Sequence, residues 1–318
     1  TPAIEGPIAG PGDVFLQSTT FALREVGYVE EEYFISGTAT AYTNGAPLGL
    51  DGVWSVIPAH TAPYKTRVVV RRPIDPRRFN GTAVVEWLNV TVGRDAAVDW
   101  TFGHTELVRD GFAWVGVSAQ YAGVEGEGGG GIVVGALRPL RRENPERYGS
   151  LSHPGDSFSY DIFSQAARAV RASSSNGVLG ELEAERVIAT GDSQSAFRLV
   201  TYIDAVHPLA GAYDGYLVHS RGSVGAPLSE APEPAIPVPG AAVIRGDLDV
   251  PVLLFEVETD LTSALVAGLA ARQPDAERIR VWEVAGAAHL DAYLLDSGVG
   301  DLGRSPEIVG LVVTDATL

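Results

Sequence analysis

Ser193 is the residue whose surroundings most strongly indicate chemistry. It stands in the run Gly-Asp-Ser-Gln-Ser, after a β-rich segment and before a helical one. A nucleophilic serine at a sharp strand-to-helix turn needs small residues two positions away on each side, and Gly191 and Ser195 are both small. The N-terminus of the next helix would also place N–H groups and the positive end of its dipole near an oxyanion. We predict that Ser193 is a nucleophile, with a plain helix N-cap as the alternative.

A serine nucleophile requires a general base, and in this kind of α/β sheet the base histidine follows the last strand. Residues 280–284 have the pattern of that strand, and four small residues then precede His289. The other five histidines are His60, His104, His153, His207 and His219. His207 lies just beyond the nucleophile helix and His219 ends the next strand, so neither follows the final strand. We therefore predict that His289 is the base.

The third member of such a triad is an acid that follows the strand before the histidine. Three carboxylates, Glu256, Glu258 and Asp260, close the run that begins at residue 251. Alternation along a strand would put all three on one side, so direction alone does not choose between them. We favour Asp260 because it lies past the strand end, on a turn that can be aimed. Glu258 is the alternative acid, Glu256 could be the buried partner of an arginine, and Asp260 could instead cap a helix.

The oxyanion of such a reaction is bound by two donors, one of which is the backbone N–H that follows the nucleophile. Here that residue is Gln194. The second donor usually comes from the loop after the third strand of the sheet, which would begin near residues 89–91. We predict the backbone N–H of Val90 for this role, with the side-chain amide of Asn89 as the alternative.

These residues must be positioned by a sheet with helices on both faces. Apolar β-rich runs without strict alternation occupy residues 67–70, 83–90, 113–119, 186–190, 216–219, 252–257 and 278–284. Helical stretches lie between them at residues 100–109, 157–173, 195–206 and 262–271. This alternation predicts a doubly wound, mostly parallel α/β sheet in a single domain over residues 1–318. Residues 1–50 indicate an irregular or antiparallel β entry.

Two insertions interrupt the alternation, at residues 124–154 and 222–239. The first contains the glycine run 128–131, and the second is rich in proline. Long insertions in α/β enzymes often cover the active site, so we predict that both border the pocket as lids. Plain surface loops remain the alternative.

Composition excludes several classes of function. The formal net charge of −17 argues against nucleic acid and against an anionic membrane surface, since both attract clustered Lys and Arg. The sequence has no cysteine and no closely spaced histidine pair, so we expect neither thiolate chemistry nor a metal site. It contains no apolar run long enough to span a membrane. Oligomeric state and compartment are left open.

Four segments together resemble a family of largely uncharacterised bacterial α/β-hydrolase-domain proteins. They are residues 79–89, 114–120, 190–197 and 282–289, and the resemblance runs from Ile4 to about Leu295. It implies the α/β-hydrolase fold and a triad of Ser193, Asp260 and His289. The fold normally ends with a helix after the histidine, and residues 298–318 show little apolar periodicity for one.

The function predicted from the sequence is hydrolysis of a carboxylic ester through an acyl-enzyme, without a cofactor. The partner of such an enzyme is a small-molecule ester. Amidase, lactonase or transacylase activity would use the same residues, and an inactive hydrolase fold that only binds ligands stays open as well.

Overall fold

A computed structural model describes residues 1–126, 136–172, 177–264 and 266–294. Over these ranges one sheet is built from nine strands in the order β1-β2-β3-β5-β4-β6-β7-β8-β9. The strands are β1 (Ala3–Glu5), β2 (Tyr28–Asn44), β3 (Val56–Pro73), β4 (Thr82–Trp87), β5 (Ala113–Val117), β6 (Arg186–Asp192), β7 (Gly215–His219), β8 (Val252–Val257) and β9 (Ile279–Val284).

Six neighbouring strands of this sheet, from β5 through β4 and β6 to β9, run parallel. Strands β1, β2 and β3 add to it in antiparallel pairs. The predicted mostly parallel α/β sheet is therefore confirmed. The run predicted at residues 67–70 is only a part of β3 near its C-terminal end, and β3 is an 18-residue strand that forms a long hairpin with β2.

The helices lie between the strands, as the alternation predicts. The α-helices are α1 (Val98–Arg109), α2 (Tyr121–Val124), α3 (Leu140–Glu143), α4 (Pro145–Tyr148), α5 (Ser159–Val170), α6 (Gln194–Thr201), α7 (His207–Ala210) and α8 (Glu258–Thr262). Short 3-10 turns occupy Leu23–Val26, Pro76–Arg78, Asp156–Phe158 and Gly268–Ala271, and one π turn, Tyr202–Val206, continues α6.

Both faces of the central parallel strands β4, β5 and β6 are largely buried, which explains their continuous apolar composition. Every residue of β5 is buried. On one face Trp87 packs its ring 4.6 Å from that of Phe163 on α5. On the other face Trp114 packs against Trp100 on α1, with ring centroids 5.2 Å apart. Burying each of these large side chains stabilises the fold by about 1.5–3 kcal/mol, so the two faces are anchored from both sides.

The largest local difference from the sequence prediction lies just after β8. The strand ends at Val257, and Glu258–Thr262 turns at once into the short helix α8. The predicted helix over residues 262–271 is wrong, because α8 already ends at Thr262 and the described residues after it form only the 3-10 turn Gly268–Ala271. Strand alternation therefore does not extend to Glu258 and Asp260, which point in different directions from a helical turn.

The two predicted lid segments both follow the carboxyl end of a strand, the first after β5 and the second after β7. In the first, Tyr148 donates a hydrogen bond to Glu32 at 3.0 Å. In the second, the carbonyl of Ala226 accepts one from Thr201 on α6 at 2.5 Å. The glycine run 128–131 and the segment 298–318 lie outside the described residues.

Candidate active site

Ser193 occupies a strained turn between β6 and α6. Its φ of 55° and ψ of −116° are rarely adopted by a residue with a side chain. Its N–H donates to the carbonyl of His219, 2.9 Å away, which ties the turn to the end of β7. A Cβ on Gly191 would meet the backbone of Ser195 at 3.1 Å, so a larger residue at position 191 would push that backbone by a few tenths of an ångström. The geometry matches the prediction that small residues flank the serine.

The structure brings together the three residues that the sequence proposes as a triad. The Oγ of Ser193 lies 2.8 Å from Nε2 of His289. The Nδ1 of His289 lies 2.5 Å from Oδ1 of Asp260. Asp260 is fully buried, and the side chain of His289 is 24% exposed, so substrate could reach the histidine but not the carboxylate.

Helix α8 holds both the acid and the loop that contains the histidine. The second oxygen of Asp260 accepts a hydrogen bond from the N–H of Val257 at 2.8 Å. The N–H of His289 donates to Oγ1 of Thr259 at 2.6 Å. Glu258, the alternative acid, accepts from the N–H of Gly286 at 2.7 Å. Asp260 therefore caps its helix and contacts the imidazole at once, and Glu258 fixes the backbone of the histidine loop.

The environment of His289 favours the charged form of its imidazole more than water does. Burial lowers the pKa of His289, but the hydrogen bond with Asp260 and the charges of Asp192 and Asp260 outweigh it, so its pKa is raised. Burial raises the pKa of Asp260, and its hydrogen bonds with His289 and Val257 more than reverse this, so its pKa is lowered. Asp260 is thus held as a carboxylate beside the imidazole.

Glu256, the third carboxylate of the run, faces a different environment. Burial, and secondly the charge of Asp260, raise its pKa to about 8, although the charge of Arg221 acts in the opposite direction. Glu256 is thus buried, and Arg221 is close enough for its charge to act on it, but no ion pair joins the two side chains among the described residues. Among the hydrogen bonds of the described residues, none joins Glu256 to His289.

Asn89 connects the two loops that contain the predicted oxyanion donors. Its Nδ2 donates to the carbonyl of Asp192 at 3.0 Å, and its Oδ1 accepts from the N–H of Thr91 at 2.7 Å. Val90 is fully buried beside it. Gln194 is the first residue of α6, so its N–H has no acceptor within the helix. The side chain of Asn89 is therefore engaged in holding this region together.

We expect Asn89→Ala to lower kcat by about 10–100-fold, because the loop after β4 would lose its link to the turn at Ser193. Asn80 offers a matched control on the surface. It makes the same two kinds of bond, donating to the carbonyl of Asp110 and accepting from the N–H of Thr82. Steady-state kinetics should show Asn80→Ala at the wild-type rate, and equal losses in both variants would contradict the assigned role of Asn89.

The family of the chain follows from comparison with known proteins. A family model described as an alpha/beta hydrolase domain matches residues 4–310. The chain belongs to this alpha/beta hydrolase domain family. The predicted resemblance and the predicted fold are thereby confirmed. No curated protein matches the chain at a significant level.

Several solved structures resemble this hydrolase. A glucuronoyl esterase from Solibacter usitatus is 11% identical, with a TM-score of 0.46, and the match covers 98% of this chain and 86% of that one. A serine hydrolase without lid from Xanthomonas campestris is 13% identical, with a TM-score of 0.38 and coverage of 83% and 91%. Esterase 2 from Thermogutta terrifontis is 13% identical, with a TM-score of 0.37 and coverage of 80% and 88%. These identities are too low to bear on substrate.

The hydrolase also contains a buried polar pair that sequence reasoning missed. The side chain of Gln194 donates to Oε1 of Gln120 at 3.0 Å, and the same oxygen accepts from the indole N–H of Trp87 at 2.9 Å. An indole N–H can only donate, which fixes the orientation of both amides. The contact holds the first turn of α6 against the ends of β4 and β5. The one indication of this pair in the sequence is that Trp87, Gln120 and Gln194 each lie near or just after the end of a predicted strand.

A second histidine and two aspartates, also missed, lie next to Ser193. Asp192 and His219 face each other where β6 and β7 end. His219 contacts Asp99 on α1 at 2.7 Å and Asp192 at 3.5 Å. The sequence could have indicated that Asp192 and His219 are neighbours, because they end adjacent strands. It gave no indication of Asp99, which is 120 residues from His219 in the chain.

The described parts of the chain contain neither a cluster suited to a metal ion nor a helix suited to a membrane. Across the described parts of the chain, no group of three or more His, Asp or Glu side chains is arranged to hold a metal ion. None of the helices in those parts combines the length and apolarity that crossing a bilayer requires.

Proposed function

We propose that this hydrolase cleaves carboxylic esters of small molecules through an acyl-enzyme on Ser193. The observation that carries the proposal is the continuous chain of contacts from Ser193 Oγ to His289 Nε2 at 2.8 Å, and from His289 Nδ1 to Asp260 at 2.5 Å. These distances are those of a serine, base and acid that act as a unit. The serine at the end of this chain of contacts lies in a strained turn and is partly exposed, as a nucleophile must be.

The proposed reaction proceeds in two halves. The Oγ of Ser193 attacks the ester carbonyl carbon while Nε2 of His289 takes its proton. The tetrahedral intermediate collapses, and the alcohol leaves with the proton returned by His289. A water molecule then attacks the acyl-enzyme, again giving its proton to His289, and the carboxylic acid departs from Ser193. Asp260 holds the imidazole in the required tautomer and stabilises its charged form.

The oxyanion of both intermediates is bound, in this proposal, by the backbone N–H groups of Gln194 and Val90. Gln194 begins α6, where the helix dipole is positive. The bonds that the Asn89 side chain already makes favour the backbone donor over the side-chain alternative. We also propose that segments 124–154 and 222–239 border the pocket, since ligands of open α/β sheets bind at the carboxyl ends of the strands.

Three assays test the proposal. A fluorophosphonate probe should label Ser193, as shown by mass spectrometry of the peptide, and an inactive binding scaffold would stay unlabelled. A panel of p-nitrophenyl esters with graded acyl chains should be hydrolysed with one preferred length. A matching p-nitroanilide panel separates esterase from amidase activity. Faster turnover of anilides than of esters would overturn the ester assignment.

The raised pKa of His289 predicts the pH dependence. The base must be neutral to accept the serine proton, so activity rises with pH as His289 loses its own proton. Because the pKa of His289 is raised from 6.5, the midpoint of this rise in kcat/KM should lie above pH 6.5. Measuring kcat/KM for one nitrophenyl ester from about pH 5 to 9 checks this, and a midpoint below the ordinary histidine value would contradict it.

A further inference from the structure

His219 forms a second histidine–carboxylate cluster beside the proposed triad. Its Nδ1 lies 2.7 Å from Oδ1 of Asp99 and 3.5 Å from Oδ1 of Asp192. The three side chains are largely buried, with 13% of His219 and 9% of each aspartate exposed. Two carboxylates that share one imidazole in a buried site require that imidazole to be charged if both are to ionise.

One hydrogen bond and two aromatic contacts hold the cluster in place. Asp99 Oδ2 accepts a hydrogen bond from Thr190 on β6 at 2.5 Å. The ring of His219 packs between those of Phe102, 5.7 Å away, and Phe255, 5.2 Å away. The imidazole therefore has a fixed position and is not a surface group that happens to meet a carboxylate.

The same cluster is joined to the turn that carries the nucleophile. The carbonyl of His219 accepts the N–H of Ser193, and Asp192 immediately precedes Ser193. Asp192 is also close enough for its charge to act on His289. His219 thus contacts the nucleophile through its backbone and reaches the general base through the charge of Asp192.

We propose that His219 is a positioning residue of the hydrolase, whose imidazolium balances Asp99 and Asp192 and so sets the charge around Ser193 and His289. The inference rests on the proposed function, because the charge matters only if His289 acts as a base. The cation favours the ionised form of Asp192 and holds it in place without an excess of negative charge next to the base.

The electrostatics agree with this assignment. Burial lowers the pKa of His219, but the hydrogen bond with Asp99 and the charge of Asp192 raise it to about 9. Burial raises the pKa of Asp192 to about 7, against the lowering effect of His219. The charged or titratable groups facing the two histidines come from four elements and are Asp99, Asp192, Glu256 and Asp260.

Removing the charge of His219 and removing that of Asp99 should shift the pH midpoint of kcat/KM in opposite directions. His219→Gln removes a positive charge, so the protonated form of His289 becomes more favourable and the rise in kcat/KM moves to higher pH. Asp99→Asn removes a negative charge, so the rise moves to lower pH. Each shift should be about half a pH unit or more at this burial. The double variant restores the balance, and its rate should exceed that of His219→Gln alone.

His207 is the matched control. It is buried, it contacts Asp249 at 3.1 Å, and it begins α7, beyond the end of α6 that is remote from Ser193. His207→Gln should leave the pH midpoint unchanged. If His219→Gln also leaves it unchanged, or if the double variant is slowed by the product of the two single effects, the proposal is overturned.

A measurement that does not depend on activity completes the test. Nitrogen-15 NMR of the labelled histidines should show both ring nitrogens of His219 protonated at pH 7.5, with the His219→Gln spectrum identifying its signals. A neutral ring at that pH overturns the proposal even if the variants are slow. If instead the wild type hydrolyses no ester and Ser193 takes no fluorophosphonate, the proposed function fails while the NMR result still decides the charge of His219.

Discussion

Replacing Ser193 with alanine is expected to lower kcat by about four to six powers of ten and to abolish fluorophosphonate labelling. The hydroxyl is the proposed attacking group, and its side-chain contact is the one with Nε2 of His289 at 2.8 Å. Removing it leaves His289 and Asp260 in contact but without a nucleophile to activate. Rates with the preferred nitrophenyl ester, measured by stopped assay over days, give the residual activity.

The fold should survive the same substitution, because alanine fits wherever serine fits and the backbone of the turn is held by the N–H of Ser193 to His219. A thermal melt by circular dichroism should therefore match that of the wild type. Ser55→Ala, at an exposed serine just before β3, controls for the chemistry of the change. Retention of more than a few per cent of wild-type activity in Ser193→Ala would remove Ser193 from the mechanism.

The arrangement of Ser193, His289 and Asp260 was accessible from the sequence because each depends on local order along the chain. A tight turn demands small residues at fixed offsets, and the reason is visible at Gly191, where an added Cβ would lie 3.1 Å from the backbone of Ser195. The histidine and the acid follow consecutive strands, so counting strands locates them. These are statements about neighbours in sequence, and they need no knowledge of packing.

What the sequence did not predict depends on contacts between distant segments. Strand alternation predicts one side for both Glu258 and Asp260, but the chain turns into α8 there, because the carboxylate of Asp260 accepts the N–H of Val257 and starts a helix. The pairing of His219 with Asp99 joins residues 120 positions apart, through a helix and two strands whose packing no local pattern specifies. Similarly, the sequence pattern predicts β3 only at residues 67–70, where β3 pairs with β5, and not along its hairpin with β2.

Because Asp260 and Glu258 have separate roles, two similar substitutions are expected to lower kcat by very different amounts. Asp260→Asn should lower kcat by about three to four powers of ten near neutral pH. The aspartate accepts from His289 through one oxygen and from Val257 through the other, whereas asparagine has a single acceptor oxygen. One of the two bonds must be lost, so either the tautomer of the imidazole or the start of α8 is disturbed.

Glu258→Gln should cost no more than about tenfold, because the amide oxygen of glutamine can still accept the N–H of Gly286 and no carboxylate is needed there. The pH profiles separate the two residues further. Loss of the carboxylate at position 260 removes the hydrogen bond and charge that raise the pKa of His289, so the rise in kcat/KM should move to lower pH in Asp260→Asn. It should stay in place in Glu258→Gln. If Glu258→Gln were the slower enzyme and carried the shifted profile, the acid would be Glu258, and the 2.5 Å contact between Asp260 and His289 would have only a structural role.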